Sequence, residues 1–276
     1  MPPSGAAQML LFPRFGYTTA AWEPLLRGSR FERVGEVSIS PTEVFAGGEP
    51  GYSEENFADV PGLRLTYWEE AELLVRNAGS HRCGFAVCTR CGFADSEEKS
   101  SQSGQMNLPN RFERHSSVFS TNAERFCWPG SAKGTSVLRN RVLAARERTD
   151  MALLQWPADA SEAGLYSLGR ALVLGGTRLL EIDGRELGVD LKPVSAGKKG
   201  VLIYDTTPGG AGHCWELTQR GVPWLTEAEK ILKGSSEHQR RCERACIECI
   251  LDFAGQFRAA QLDRRSALEI LQSGRS

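Results

Sequence analysis

Cysteine and histidine are the residue types of this sequence whose spacing suggests chemistry. The eight cysteines form two groups, at positions 83, 88, 91 and 127 and at positions 214, 242, 246 and 249, and the four histidines lie at 81, 115, 213 and 238. Each histidine therefore lies near a cysteine in the sequence or between two of them. Thiolates and imidazoles are the ligands that zinc prefers, so the pattern predicts metal binding.

The C-terminal group reads HQRRCERACIECILDF, or His238-x3-Cys242-x3-Cys246-x2-Cys249. A Cys-x2-Cys pair lets two thiolates reach one ion from a tight turn, and residues four apart on a helix lie on the same side. The alternative is a core helix with three buried thiols and a surface histidine. Four donors within twelve residues favour a complete zinc site.

The upstream group contains a second Cys-x2-Cys pair, Cys88 and Cys91, followed by a glycine in CGFAVCTRCGF. A structural zinc ion bound by this pair needs two further ligands. Cys127 and His115 supply them in the favoured set, because a metal would anchor the polar segment 95–110 that lies in this region. The local alternative set is His81, Cys83, Cys88 and Cys91. We expect two zinc ions per chain.

A glycine-rich stretch, YDTTPGGAGHC at 204–214, has the form of a strand, a bend and a helix start. It lacks the ending of a phosphate-binding P-loop, and Trp215 occupies the third glycine position of the dinucleotide pattern. Two interpretations stay open: Gly209, Gly210 and Gly212 offer N–H groups to a nucleic-acid phosphate, or they allow close packing. Asp205 fits a capping role better than a catalytic one.

Sequence motifs give no support for catalysis. G-x-S-x-G, H-E-x-x-H and a helicase ATP-binding set are absent, so no catalytic residue is predicted. The formal net charge of −1 gives no global field that attracts nucleic acid, so such contact must be local. Arg240, Arg241 and Arg244 are the candidates for contact with DNA or a partner, and the alternative is that these and further arginines, including Arg258, Arg264 and Arg265, form solvated faces.

The elements that must position these residues are strands and helices without strict alternation, which favours an α+β fold with a mixed sheet, packed helices and two zinc-stabilised sites. Residues 95–110 are predicted to be an exposed loop, 136–156 two strands, and 67–77 a short helix or a strand. A helix should begin at Ser161, and LGVDLKPV and GVLIYDTT should form a hairpin. Further helices are expected at 213–219, at 226–232 and in LDRRSALEILQ.

Several segments together resemble a known domain. They are the strand Thr149–Leu154, the helix ending in LLEID, the YDTTPGGAGH turn, the H-x3-C-x3-C-x2-C-I-L-D-F group and the LDRRSAL that follows. In this order, over about residues 75–272, they resemble the zinc-binding (MZB) domain of MrfA-like DEAD/DEAH-type helicases and of DrmB-like proteins of DISARM antiphage systems. Members of the family often carry a cysteine where this chain has His238, which leaves Cys83 or Cys214 as alternative ligands.

The resemblance implies a non-catalytic zinc-binding accessory module of a superfamily 2 DNA helicase or translocase, which binds DNA, the motor subunit or both in DNA repair or antiphage defence. Residues 81–276 would form the zinc-binding domain, and residues 1–80 a β-rich segment that is a remnant of a helicase core or contacts one. Without motor motifs, the chain is expected to be a separate subunit or the tail of a split helicase, with no ATP hydrolysis of its own.

The alternative function is a metal-dependent hydrolase or nuclease acting on nucleic acid, with Asp205 and His213 near a metal. Neither a signal peptide nor an apolar stretch of membrane-spanning length is present, so we expect a cytoplasmic protein without a membrane partner.

Overall fold

The computed structural model describes residues 9–11, 42–79, 82–100, 103–109, 115, 137–157, 159–195, 197–252 and 256–273. The chain forms two compact units. The first unit comprises Met1–Glu43 and Val75–Ala145, and the second unit comprises Val44–Leu74 and Arg146–Ser276. The expected domain boundary at residue 80 stays a prediction, because a compact unit need not coincide with a family domain.

The fold is α+β, with a mixed sheet and packed helices, as expected. The strands are β1 (Met9–Leu11), β2 (Thr42–Gly47), β3 (Tyr52–Glu55), β4 (Arg64–Asn77), β5 (Phe85–Cys88), β6 (Ala94–Ser96), β7 (Glu98–Lys99), β8 (Met106–Asn107), β9 (Val137–Gln155), β10 (Leu187–Ser195) and β11 (Lys198–Asp205). The α-helices are α1 (Glu162–Leu180), α2 (His213–Gln219), α3 (Gly221–Lys233), α4 (Ser236–Arg241) and α5 (Arg264–Ser273).

In the second unit the strand order is β10-β11-β9-β4-β2, and β3 pairs antiparallel with β4. The predicted hairpin is confirmed, since β10 and β11 pair antiparallel from Leu187 opposite Asp205 to Ser195 opposite Lys198. The segment 67–77 is a strand, not a helix. β11 then runs antiparallel to the end of β9, and this places Asp205 at the strand end that leads into the glycine-rich stretch.

Two predictions about this unit need correction. Residues 136–156 do not form two strands, because β9 is continuous from Val137 to Gln155. The charged residues at 146–148 are exposed on the strand, so their polarity carries no burial cost and does not end the strand. Helix α3 begins at Gly221, earlier than the predicted 226, because Pro223 lies in its first turn, where the missing N–H needs no partner.

The helices pack around α1. Ser161 caps α1 as predicted, since its side chain accepts a hydrogen bond from the Gly164 N–H at 3.0 Å. Helices α3 and α5 and strands β10 and β11 pack against α1. The contact with α3 requires glycine at position 175, where a Cβ would lie 2.8 Å from the Ala228 nitrogen. This core supports the C-terminal cysteine group, since Cys242 and Cys249 are among its buried residues.

In the first unit β1 pairs parallel with β9, and β5 lies antiparallel to β6 and to β9. Residues 95–110 are not simply an exposed loop, since β7 and β8 pair within them and Glu97 is only 1% exposed. The Glu97 carboxylate accepts hydrogen bonds from Arg139 Nε at 3.0 Å and Nη2 at 2.8 Å. The buried Glu97 carboxylate and the partly exposed Arg139 guanidinium thus hold this segment in place of apolar side chains. The polar composition of the segment gave no sign of this contact.

Candidate metal centres

Four donors meet in the second unit. One ligand atom from each of His238, Cys242, Cys246 and Cys249 lies within 4.8 Å of the other three. We call these residues the C-terminal cluster. His238, Cys242 and Cys249 are buried, and Cys246 is partly buried. The structure therefore brings together the complete ligand set that the spacing predicted.

Short-range hydrogen bonds position the ligands. Ser235 caps α4 by accepting from the His238 N–H at 3.1 Å, and the Cys242 N–H donates to the His238 carbonyl at 2.8 Å where the helix ends. In the Cys-x2-Cys turn the Cys249 N–H donates to the Cys246 carbonyl at 3.1 Å, and the Cys246 N–H donates to Cys249 Sγ at 3.3 Å. One helical turn and one tight turn thus each present two donors.

The donor separations fit a tetrahedral ion. Zn–S bonds of about 2.3 Å and a Zn–N bond of about 2.0 Å at tetrahedral angles place sulfurs about 3.8 Å apart and nitrogen about 3.5 Å from sulfur. Cys242 Sγ and Cys249 Sγ are 3.8 Å apart, Cys246 Sγ and Cys249 Sγ are 3.9 Å apart, and His238 Nε2 lies 3.3 Å from Cys246 Sγ. The sulfur separations are far beyond the roughly 2.05 Å of a disulfide, so these cysteines are free thiols.

The Cys242 thiol has a raised pKa. Burial, followed by a hydrogen bond with Cys246, raises the pKa of the Cys242 thiol to about 11, although the Arg264 guanidinium opposes this shift. Without a metal this thiol stays protonated at neutral pH, whereas a bound divalent cation stabilises the thiolate. His238 Nδ1 is buried and has no hydrogen-bond partner among the described residues. The polar contact of the ring is made by Nε2, which faces Cys246 Sγ.

Two buried arginines hold the chain on either side of the cluster, and the sequence did not single them out. Arg170 of α1 forms an ion pair with Asp252. Arg264, which was grouped with solvated arginines, is buried and donates to the Cys242 carbonyl at 2.9 Å from Nε. Its spacing to the buried Ala267 and Leu271 on α5 is helical, and this signal marks position 264 as part of the buried face.

Three donors meet in the first unit. Cys88, Cys91 and His115, here called the upstream cluster, are all buried and offer ligand atoms within 4.8 Å of one another. The Gly92 N–H donates to the Cys88 carbonyl at 2.9 Å, and Gly92 has a φ of +76°, the left-handed conformation that glycine favours after a metal-binding turn. Phe93 stacks on His115 with ring centroids 4.5 Å apart.

Both proposed sets of upstream ligands contain a residue outside the described part of the chain. Cys127 of the favoured set and His81 of the alternative set lie outside the part of the chain that the structure describes. Cys83 is described and is not a member of the upstream cluster, whereas His115 is. The arrangement thus favours the set with His115.

The glycine-rich stretch is a capped helix start. Asp205 is buried and accepts hydrogen bonds from the N–H groups of Ala211 at 2.7 Å, His213 at 3.1 Å and Cys214 at 3.0 Å. The carboxylate therefore occupies the N-terminus of α2, the place where a phosphate was considered. The His213 ring contacts Glu186, with Nε2 2.9 Å from Oε2.

The N–H groups of the three glycines are engaged as well. Gly209 donates to the Arg148 carbonyl at 2.7 Å, Gly210 to the Thr207 carbonyl at 2.9 Å, and Gly212 to the Asp150 carboxylate at 3.2 Å. A Cβ on Gly210 would lie 2.6 Å from the Asp150 carboxyl group. All three glycines have a φ between +80° and +85°, the left-handed region that favours glycine, but only Gly210 is needed for close packing. In this conformation their N–H groups are not offered to a nucleic-acid phosphate.

The three candidate contact arginines lie beside the C-terminal cluster and are exposed. Arg241 pairs with Glu237 at 3.3 Å, and Arg244 Nη2 donates to the Ala260 carbonyl at 3.2 Å. Glu243 and Glu248 are exposed in the same segment. This surface therefore carries both signs of charge, in contrast to a uniformly basic patch.

Comparison with known proteins gives a match for part of the chain. Residues 168–250 match a family model described as the MrfA Zn-binding domain, and this range contains all four residues of the C-terminal cluster. A solved structure, the crystal structure of the DUF1998 helicase MrfA bound to DNA, is similar at 14% identity with a TM-score of 0.44, covering 86% of this chain and 25% of that one. The chain thus spans about a quarter of that helicase. Curated proteins gave no match.

Within the described residues, no helix combines the length and the apolar character that crossing a membrane requires.

Proposed function

We propose that this chain is a zinc-binding accessory module of a superfamily 2 DNA helicase or translocase. The observation that supports this most strongly is the match of residues 168–250 to the MrfA Zn-binding domain, with four donors at tetrahedral zinc separations inside the match. A site closed by four protein ligands leaves no position for a reacting water, so zinc here has a structural role. The zinc would stabilise the fold of a binding surface and would not take part in a reaction.

The matched domain supports a proposal for the partner and the setting. The domain is named after MrfA, which the solved structure describes as a helicase bound to DNA. By analogy, this chain would act in the cytoplasm beside a DEAD/DEAH-type helicase subunit or domain, on DNA, in repair or antiphage defence. It would carry a second zinc ion in the upstream cluster, with Cys127 as the fourth ligand.

The charges of the module favour weak DNA binding by the chain alone. Non-specific affinity for DNA depends on the number of phosphates that arginines and lysines neutralise. Arg240, Arg241 and Arg244 are interleaved with acidic residues, and the whole chain has a net charge of −1. The main effect of the module should therefore appear when a motor protein is present.

A salt titration of DNA binding tests the proposal. The triple variant Arg240→Gln, Arg241→Gln, Arg244→Gln is compared with wild type for binding to a fluorescent single-stranded oligonucleotide, with and without a DEAD/DEAH-type motor encoded beside this chain. If the arginines track the DNA backbone, the slope of log affinity against log salt should flatten by about two to three. If they dock the motor, DNA binding stays unchanged and co-purification is lost.

A matched control removes the same charge elsewhere. Arg178, Arg185 and Arg265 are exposed, and their replacement by glutamine changes the net charge equally. This control should retain both the salt slope and co-purification. If the test and control triples behave alike in both assays, the arginines of the C-terminal cluster are only a solvated face and the contact proposal is wrong.

A further inference from the structure

Arg264 is a buried cation that donates hydrogen bonds to several backbone carbonyl groups. Its side chain is only 3% exposed at the start of α5. Nε and Nη2 donate to the Cys242 carbonyl at 2.9 and 2.6 Å, Nη1 donates to the Leu232 carbonyl at 3.0 Å, and Nη2 also reaches the Gln239 carbonyl at 3.4 Å. Among the described residues it has no carboxylate partner, although a buried charge is costly unless it is balanced.

Arg170, the other buried arginine near the cluster, has its charge balanced in the usual way, by a carboxylate. Its guanidinium forms an ion pair with Asp252, which follows the Cys-x2-Cys turn. The two arginines hold the same segment from two sides, but only Arg170 has its charge balanced by an acidic side chain. The carbonyls at the ends of α3 and α4 give Arg264 only partial negative charge, so an anionic group nearby would complete the balance.

The metal-loaded C-terminal cluster would supply that balance. Zinc brings two positive charges, and the thiolates of Cys242, Cys246 and Cys249 bring three negative ones, while His238 binds as a neutral ligand. The centre would therefore carry one net negative charge. Arg264 is hydrogen-bonded to the backbone of one of its ligands, so the two opposite charges would lie close together in a buried region, where their attraction is strong.

We propose that Arg264 is a positioning residue that balances the negative charge of the zinc-loaded C-terminal cluster, raises its affinity for zinc and couples zinc binding to the docking of α5. The proposal rests on the proposed function, because it requires zinc at this cluster. The coupling follows from the fold: Arg264 begins α5, whose buried residues Ala267, Ile270 and Leu271 belong to the core that also contains Cys242 and Cys249. Zinc binding would thus stabilise the end of the chain as well as the cysteine turn.

Zinc affinity, measured on the full chain by competition with a chromophoric chelator, tests the proposal. Arg264→Gln removes the charge and should weaken zinc binding at this cluster about 10- to 100-fold, the range typical of residues that support metal ligands. Arg264→Lys keeps the charge but loses the planar fork, and should recover most of the affinity. Arg265→Gln, an exposed neighbour, should match wild type.

The outcomes distinguish an effect of the Arg264 charge from an effect of its hydrogen bonds. Unchanged affinity in Arg264→Gln overturns the proposal, and so does an equal loss in Arg264→Lys and Arg264→Gln, which would assign the effect to hydrogen bonding alone. If Arg264→Gln does not fold, the Lys variant still decides, because a large loss there contradicts charge balancing. Wild-type protein that binds no zinc would contradict the proposed function itself. The variant comparisons test only the role of Arg264.

A double-mutant cycle tests directly whether Arg264 acts through its charge. His238→Cys converts the cluster to four thiolates and makes the zinc-loaded centre more negative by one charge. The loss of zinc affinity caused by Arg264→Gln should then be larger in the His238→Cys background than in the wild-type background. An equal or smaller loss contradicts the proposal.

Discussion

Gly234 shows how a single missing side chain determines the position of a metal ligand. It lies between α3 and α4 with φ 59° and ψ −170°, a combination that is essentially restricted to glycine. A Cβ at this position would lie 2.3 Å from His238 Nδ1. The glycine therefore gives the imidazole the space to face the cysteines.

We predict that Gly234→Ala weakens zinc binding at the C-terminal cluster and lowers Tm. The alanine costs about 1–3 kcal/mol in backbone strain and also displaces the His238 ring. Thermal melting and zinc content measure the two effects. Gly184→Ala is the matched control, since a Cβ there meets nothing within 4 Å. Equal behaviour of the two variants would contradict this role for Gly234.

Cys214 is predicted to be a buried thiol and not a ligand. It is fully buried, its Sγ lies 3.6 Å from the Ile203 carbonyl, and burial raises the pKa of its thiol well above the ordinary value. Cys214→Ala should leave zinc content unchanged and cost about 1 kcal/mol or slightly more in lost packing. Cys246→Ser should lose one ion. Loss of an ion in Cys214→Ala, detected by metal analysis, would show that Cys214 binds zinc.

The residue scale also shows what the sequence can predict. The spacing of His238, Cys242, Cys246 and Cys249 was sufficient to predict that these four donors lie together, because all four belong to one turn-rich segment. Arg264 was not recognised because its partners, the carbonyls of Cys242 and Leu232, are 22 and 32 residues away. A residue whose role depends on such long-range contacts has no local signature except its place on the apolar face of a helix.

Elements with local signals were predicted well. The Ser161 cap identified α1, and the turn between β10 and β11 identified the hairpin, because each depends on neighbouring residues. The continuous strand β9 and the order in residues 95–109 were missed. They depend on pairing with distant strands and on the ion pair between the buried Glu97 and Arg139, and neither leaves a hydrophobic pattern in the sequence.

At the scale of elements, we predict that Arg139→Ala destabilises the first unit. It would leave the buried Glu97 carboxylate with the Asn140 N–H as its remaining donor among the described residues, and losing hydrogen bonds to a buried charged group costs about 1–3 kcal/mol. Thermal melting and limited proteolysis within 95–109 measure the loss. Arg146→Ala is the control, since its pair with Glu72 is exposed and 3.6 Å long and should contribute less than about 1 kcal/mol. Similar stability of both variants would show that the buried pair is not what orders this segment.

At the scale of the whole molecule, the two clusters belong to different compact units. The upstream cluster lies in the first unit, outside the matched range 168–250, and the C-terminal cluster lies inside that range in the second unit. Their ligand sets are separate, so each is expected to bind zinc without the other. Cys88→Ser should therefore reduce the zinc content from about two ions to one and leave the C-terminal cluster loaded.

X-ray absorption at the zinc edge, combined with metal content, tests the central claim most directly. The double variant Cys88→Ser, Cys91→Ser removes the upstream cluster and leaves the C-terminal cluster as the proposed site. The account predicts one zinc ion per chain, with three sulfur neighbours at about 2.3 Å and one nitrogen neighbour at about 2.0 Å. Protein that carries no zinc, or zinc surrounded by four sulfurs, would contradict the assignment of His238, Cys242, Cys246 and Cys249 as its ligands.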